Sequence, residues 1–271
     1  MKKIGIMTNG GRTDVLSCGD FFAQKFREHD IEVWLDSEPE PNPTDSDLLM
    51  VLGGDGTLLK SFHKYGELGI PFLGVNFGNI GFLSTIEPDN FIKYLPSIVK
   101  EEYQTSERIA LRVSLYRKNQ GVVFSGYAFN DVVVKSIMPR ISRQLVYIDG
   151  NLFSQYEGDG IICATSTGST AYSLSAGGSI IDPRLVAVIM TPICSRANLM
   201  NSIVISADHE IRILCNDIYP CSILTADGNE PIELINQDLI KIEKSSLKIK
   251  LVQFDQDRYF NLLRSKLLGV R

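Results

Sequence analysis

The chain has 271 residues, 44% hydrophobic and 22% charged, with a formal net charge of −5. Its length suits one large or two moderate domains, its composition is that of a globular protein, and its negative charge argues against a nonspecific nucleic-acid binder. With no apolar run of about 18 residues and no signal-peptide pattern at Met1-Lys2-Lys3-Ile4, no membrane partner is expected and the expected location is cytoplasmic.

The first hundred residues alternate in type. Lys3-Ile4-Gly5-Ile6-Met7 reads as a strand, and Leu16, Phe21, Phe22 and Phe26 follow at helical spacing. Ile31–Leu35 is a second strand, and Pro39, Pro41 and Pro43 mark an exposed loop. A third strand is expected over 48–52, a helix over 57–65, a fourth strand over 71–75 and another helix over 88–101. This alternation predicts a parallel, doubly wound sheet, whose ligands sit at the carboxyl ends of strands.

Near Thr105 the period changes to two, as in Leu111-Arg112-Val113-Ser114-Leu115-Tyr116. Asp149-Gly150-Asn151 reads as a hairpin turn, and residues 203–216, 222–226, 230–235, 239–243 and 247–253 continue the strand-and-turn rhythm. One helix is expected from about Thr170 to Ala176, and 256–268 again reads as helical. The architecture predicted is α/β followed by β: a Rossmann-like domain over 1–104, a β-sandwich over 105–253, and a C-terminal helix within 254–271 packing back on the first domain.

The five cysteines (Cys18, Cys163, Cys194, Cys215 and Cys221) form no Cys-x-x-Cys, and there are three histidines, so reduced thiols are expected and a zinc site is not.

Gly53-Gly54-Asp55-Gly56-Thr57 follows the third strand directly. Glycines let a backbone approach phosphate, and N–H groups at a helix start attract anions. A carboxylate there would repel phosphate. It is explained if Asp55 accepts the proton of a hydroxyl being phosphorylated, or if Asp55 is simply the helix N-cap. A second glycine turn, Asn76–Leu83, follows the fourth strand, with Phe82 and Leu83 as an apolar wall or as core. Asn130-Asp131 interrupts an apolar strand; an Asn amide can pair with an adenine edge, and an Asp can accept from ribose hydroxyls. Residues 158–178 read GDGIICATSTGSTAYSLSAGG. The Ser and Thr residues crowded into 165–170 are more than helix capping uses, so they are expected to face water or a polar ligand. No Gly-Lys-Ser/Thr phosphate loop and no G-x-G-x-x-G is present.

Five ordered blocks, GGDGT at 53–57, NFGNIGFL at 76–83, FND at 129–131, the 158–178 segment and TPIC at 191–194, resemble those of the NAD kinase family. Lipid kinases share the first block, whereas the fourth is specific. The resemblance implies transfer of the ATP γ-phosphoryl group to the 2′-hydroxyl of the adenosine ribose of NAD, with Mg²⁺ on the ATP phosphates and a homodimer or homotetramer. It implies Asp55 as catalytic base. A free aspartate is a weak base toward a sugar hydroxyl, so late proton transfer is expected. Gly53, Gly54, Gly56 and Thr57 are implied to hold ATP phosphates. NAD is implied to lie on Asp55, Gly56, Lys60, Phe82, Asn130, Asp131, Arg140, Asp159, Thr167, Thr170, Ala171, Tyr172, Ser173, Leu174, Ser175 and Asn229. The chain departs from the family's usual residues at Glu157, Ser166, Ser179, Asp182 and 195–202.

Overall fold

The computed structural model describes residues 1–8, 11–78, 81–138, 141–196, 201–216, 222–255 and 258–268. Two compact units divide the chain, Met1–Glu107 with Ile249–Arg271, and Arg108–Lys248.

The first unit contains β1 (Lys3–Thr8), α1 (Thr13–Arg27), β2 (Glu32–Leu35), β3 (Leu48–Gly53), α2 (Asp55–Tyr65), β4 (Pro71–Asn76) and α3 (Phe91–Val99). The strands are parallel, in the order β2-β1-β3-β4. β3 is apolar at every position from Leu48 to Leu52 because both its faces are covered. Leu48, Met50 and Leu52 join Phe22 and Phe26 of α1 and Phe91 and Leu95 of α3 in one core. Phe22 and Phe91 stack with ring centroids 3.8 Å apart. Leu58, Phe62 and Tyr65 are the large apolar side chains that α2 buries, and Phe62 meets Phe72 of β4 edge to face at 5.0 Å.

The second unit is built from β5 (Gln104–Arg117), β6 (Gly121–Ala128), β7 (Asp131–Ser136), β8 (Ser142–Ile148), β9 (Asn151–Gly158) and β10 (Gly160–Thr165). After the one-turn α4 (Tyr172–Ser175) come β11 (Ala187–Ile193), β12 (Ile203–Ser206), β13 (Ile211–Asn216), β14 (Ser222–Ala226), β15 (Ile232–Leu234) and β16 (Leu239–Gln253), whose end belongs to the first unit together with the last helix, α5 (Arg258–Leu268). One sheet runs β12-β11-β10-β7-β14-β15; the other joins β16, β13, β8 and β9, with β5 on β16 and β6 on β5. Alternate residues of both sheets, among them Val113, Val132, Val134, Ile161, Ile213, Leu224 and Ile240, fill the sandwich core. Val133, Ile162, Ala164 and Ile189 point to the other face of the first of these sheets, where Ile181 covers them.

The strand expected to break near Lys244 is continuous. β16 pairs with β13 at Ile242 and with β4 at Lys250 and Leu251, and these partners carry the chain through the polar Lys244-Ser245-Ser246 stretch. The helix expected over 170–176 is a single 3-10 turn, Gly168–Thr170, followed by α4. Among the described residues no helix is long and apolar enough to cross a membrane. Cys18, Cys163, Cys194 and Cys215 are free thiols, and Cys221 lies outside the described residues.

Asp238 stands just before β16 and is fully buried. Its carboxylate accepts from Arg117 Nε at 3.0 Å and Nη2 at 2.8 Å, and from the Ile235 N–H at 3.0 Å. Removing the carboxylate takes a buried acceptor from the Ile235 N–H and from Arg117, which keeps the Glu233 carbonyl at 3.0 Å. Asp238→Ala is expected to cost about 3 kcal/mol, read as a lowered thermal midpoint of the intact protein.

Candidate active site

In the first unit, β3 ends at Gly53 and Gly54 caps α2 through its backbone. The Gly54 carbonyl accepts the Thr57 N–H at 2.9 Å and the Leu58 N–H at 3.2 Å. Asp55 is therefore the first helical residue, not the N-cap, and no side chain caps this helix. Its carboxylate turns to a different segment: Oδ2 accepts the Phe82 N–H at 2.8 Å and Oδ1 the Leu83 N–H at 3.1 Å. The approach requires glycine at position 81, where a Cβ would lie 1.9 Å from Asp55 Oδ1. α5 covers the same segment. Arg258 Nε donates to the Ser84 carbonyl at 3.2 Å, Tyr259 lies 5.9 Å from the Phe82 ring, and Lys266 Nζ lies 4.9 Å from it.

The parallel order β2-β1-β3-β4 reverses direction between β1 and β3, the switch point where ligands of such sheets collect. The glycine turn follows β3 at that point. Gly56 and Lys60 are exposed on the first turns of α2. The sequence reading did not single out Arg12, which follows β1 and donates to the Phe77 carbonyl at 2.8 Å. Its guanidinium is also paired with Asp14, Nη2 to Oδ2 at 2.6 Å.

In the second unit, a cavity of about 470 Å³ is lined by Asn130, Asp131, Ala171, Tyr172 and Asn229, all of them residues picked out from the sequence. It is also lined by Val133, Lys135, Ile223, Thr225, Asp227, Gly228 and Pro231, none of which was assigned to the site. Strand alternation accounts for most of these. Asp131, Val133 and Lys135 share one face of β7, and Ile223 and Thr225 share one face of β14, paired beside it. Lys135 Nζ lies 5.5 Å from the Tyr172 ring. Burial first, and the Asp227 charge second, push the Asp131 carboxyl up to about 7.

The hydroxyl-rich segment is bonded largely to its own and neighbouring backbone. Thr165 Oγ1 donates to the Phe129 carbonyl at 2.7 Å and accepts the Gly168 N–H at 3.0 Å. Ser166 Oγ donates to the Leu185 carbonyl at 2.6 Å, and Ser169 Oγ to the Ser166 carbonyl at 2.7 Å. Thr170 Oγ1 donates to the Thr167 carbonyl at 3.2 Å. Ser173 is buried, with its Oγ 2.8 Å from Thr191 Oγ1. These hydroxyls bond a sharply turning backbone, and Ala171 and Tyr172 reach the cavity wall. Thr167, Leu174 and Ser175 flank that wall without lining it. Asp159 sits between β9 and β10, its backbone bonded to Ile193 and Ser136. Arg140 lies outside the described residues.

A larger hollow of about 570 Å³ in the first unit is lined, among the described residues, by Glu101, Glu102, Tyr103, Gln104, Gln253, Phe254 and Asp255, an acidic set that disfavours phosphate-bearing ligands. Among the described residues no group of three or more His, Cys, Asp and Glu could hold a metal ion. Mg²⁺ is commonly held through one or two carboxylates and substrate phosphates, not an all-protein cage.

A family model described as "ATP-NAD kinase N-terminal domain" matches residues 17–103, and one described as "ATP-NAD kinase C-terminal domain" matches 129–254. The NAD kinase of Natranaerobius thermophilus is 35% identical, over 99% of this chain and 99% of that one. The NAD kinase of Clostridium beijerinckii is 38% identical, over 92% of this chain and 88% of that one. Among solved structures, yeast NADH kinase complexed with NADH superposes with a TM-score of 0.89 at 25% identity, over 100% of this chain and 88% of that one. An NAD kinase from Archaeoglobus fulgidus in complex with ATP gives 0.77 at 25% identity, over 99% and 100%.

Gly81→Ala is expected to drive the Asp55 carboxylate off the Phe82 and Leu83 amides. Hydrogen exchange at those amides should then quicken by about tenfold or more, the loss of one charge-assisted bond.

Proposed function

The chain belongs to the NAD kinase family, and on that premise we propose that it transfers the γ-phosphoryl group of ATP to the 2′-hydroxyl of the adenosine ribose of NAD, giving NADP and ADP. The observation that carries the catalytic part is the Asp55 carboxylate. It stands at a glycine turn, is not used as a helix cap, and is fixed by the Phe82 and Leu83 amides.

In this reading, the ribose 2′-oxygen attacks the γ-phosphorus, the bond from phosphorus to the β,γ-bridging oxygen breaks, and Asp55 takes the hydroxyl proton late in the transfer. Two amides already hold Asp55, so no reorganisation is needed when charge develops. Gly53, Gly54, Gly56 and Thr57, at the positive end of α2, are assigned to the ATP phosphates, Thr57 through its hydroxyl because its N–H is bonded to the Gly54 carbonyl. Mg²⁺, when bound through those phosphates, supplies charge neutralisation.

Asn130 is assigned to the adenine edge, Asp131 to the ribose hydroxyls, and Tyr172 and Ala171 to the wall that seats the nucleoside. Asn229 adds a polar contact at the same cavity. Phe82, Gly56, Lys60, Asp159, Thr167, Thr170, Leu174 and Ser175 are assigned to the remainder of NAD. Arg140 keeps its assignment on the sequence match alone. Ser173 acts through Thr191, by holding α4. We further propose a cytoplasmic homo-oligomer. Exposed Ile137, Met138, Leu152 and Phe153 support association, and light scattering after size exclusion measures it.

A coupled assay of NADP formation from ATP and NAD, with a diacylglycerol as control acceptor, tests the reaction. Asp55→Asn is expected to keep NAD affinity within about threefold, since an amide still reaches the 2′-hydroxyl and Asn130, Asp131, Ala171, Tyr172 and Asn229 are unchanged, while turnover falls by about 10²–10⁴-fold. Near-normal turnover in this variant refutes the role given to Asp55.

A further inference from the structure

We propose that Asp227 is the positioning residue of the dinucleotide cavity: it holds the Asn130-Asp131 backbone in the one register that presents both side chains to the ligand. The proposal rests on the reading of this cavity as the NAD site.

β6 ends at Ala128 and β7 begins at Asp131. In a regular strand successive N–H groups point to opposite sides. Here three in a row converge on one carboxylate. Asp227 Oδ2 accepts the Phe129 N–H at 2.8 Å, and Oδ1 accepts the Asn130 N–H at 2.7 Å and the Asp131 N–H at 3.0 Å. The Asp227 N–H in turn donates to the Asp131 carbonyl at 2.9 Å. From the opposite side Thr165 donates its N–H to the Asn130 carbonyl at 2.8 Å and its hydroxyl to the Phe129 carbonyl at 2.7 Å. Gly168 lets the chain close on this dipeptide, because a Cβ there would sit 2.0 Å from the Asn130 oxygen. Both faces of the 129–131 backbone are therefore clamped, and the side chains of Asn130 and Asp131 are left for the cavity.

The arrangement also sets the charge of the cavity. Asp131 is buried beside Asp227, and its carboxyl is raised to about 7 by burial and then by that neighbour. The other titratable groups around it are Lys135 on the same face of β7, the buried Cys163 on β10 and Tyr172 of α4. Below pH 7 Asp131 carries a proton and is a poorer acceptor for a ribose hydroxyl; above it the carboxylate is charged and accepts. NAD capture should thus weaken as pH falls through about 7. Removing the Asp227 charge should move that inflection to lower pH.

A turn-forming role alone makes a different prediction. Asp227 has φ 53° and precedes Gly228 at φ 67°, a conformation that Asn and Gly adopt more readily than Asp. If the turn were all that mattered, Asp227→Asn and Asp227→Gly would be silent or stabilising. The experiment is steady-state NADP formation by the full chain, for the unmodified protein, these two variants and Asn130→Ala. Both Asp227 variants are expected to raise KM for NAD by about tenfold or more and leave KM for ATP within twofold. In Asp227→Asn the pH inflection of kcat/KM for NAD should move to lower pH. The glycine variant relaxes the turn and serves if the asparagine variant does not fold. If Asn130→Ala leaves KM for NAD unchanged, the reading of the cavity as the NAD site fails. If Asn130→Ala raises it and the Asp227 variants do not, or if KM for ATP rises in parallel, the positioning role is overturned.

Discussion

A carboxylate in the first turn of a helix ordinarily spends itself on that helix's own free N–H groups. Asp55 instead reaches across to the amides of Phe82 and Leu83. This bond pair joins the loop after β3 to the loop after β4, and much of the first unit's functional end depends on it. Gly81 is small because the carboxylate passes over it, and Gly54 caps α2 because Asp55 does not. α5 braces the same segment through Arg258 on the Ser84 carbonyl and through Tyr259 and Lys266 on the Phe82 ring. For the base role proposed for Asp55 a fixed direction matters, and two amide donors on separate oxygens provide it more firmly than one flexible side-chain partner could.

The second unit solves a related problem with different chemistry. A sandwich sheet buries one face in the core, and ligand binding then needs polar groups on the other face without leaving them unpaired. Asp131 and Lys135 do this by alternation with Val132 and Val134, which are buried in the core. The 165–175 segment adds a wall to that face, and its many hydroxyls are the means of building it. Each tight turn leaves backbone groups without ladder partners, and Thr165, Ser166, Ser169 and Ser173 bond the nearby carbonyls, amides and hydroxyls. The departure at Ser166 has a local reason in this chain, since its hydroxyl bonds the Leu185 carbonyl. Asp182 and Glu157, two other departures, are engaged with Arg184 and Arg143.

Much of this was written in the order of residue types. Continuous apolar runs at β3 and β4 and period-two alternation from Leu111 onward predicted the two architectures, because burial on both faces or on one face dictates those patterns. Asp55, Asn130 and Asp131 could be picked out because polar residues interrupt or end apolar runs, whereas Ala171, Tyr172 and Asn229 are named by the family resemblance. Asp227 was passed over: an Asp-Gly at a strand end is the commonest kind of turn, and the three amides it holds are 96 to 98 residues away in sequence. For the hydroxyl block, residue order marked the place but not the partners, since hydroxyl density does not reveal whether a backbone carbonyl or a ligand is bonded; Thr165, Ser166 and Ser169 bond backbone carbonyls.

Residue order therefore determined the alternation of elements, the places where chemistry interrupts it, and the family to which the chain belongs. Tertiary structure alone decided what Asp55 is bonded to, and so excluded the helix-cap reading that the sequence left open. The reason is physical: a carboxylate's local options are set by its neighbours in the chain, but the choice among them is made by which distant amides the fold brings within about 3 Å.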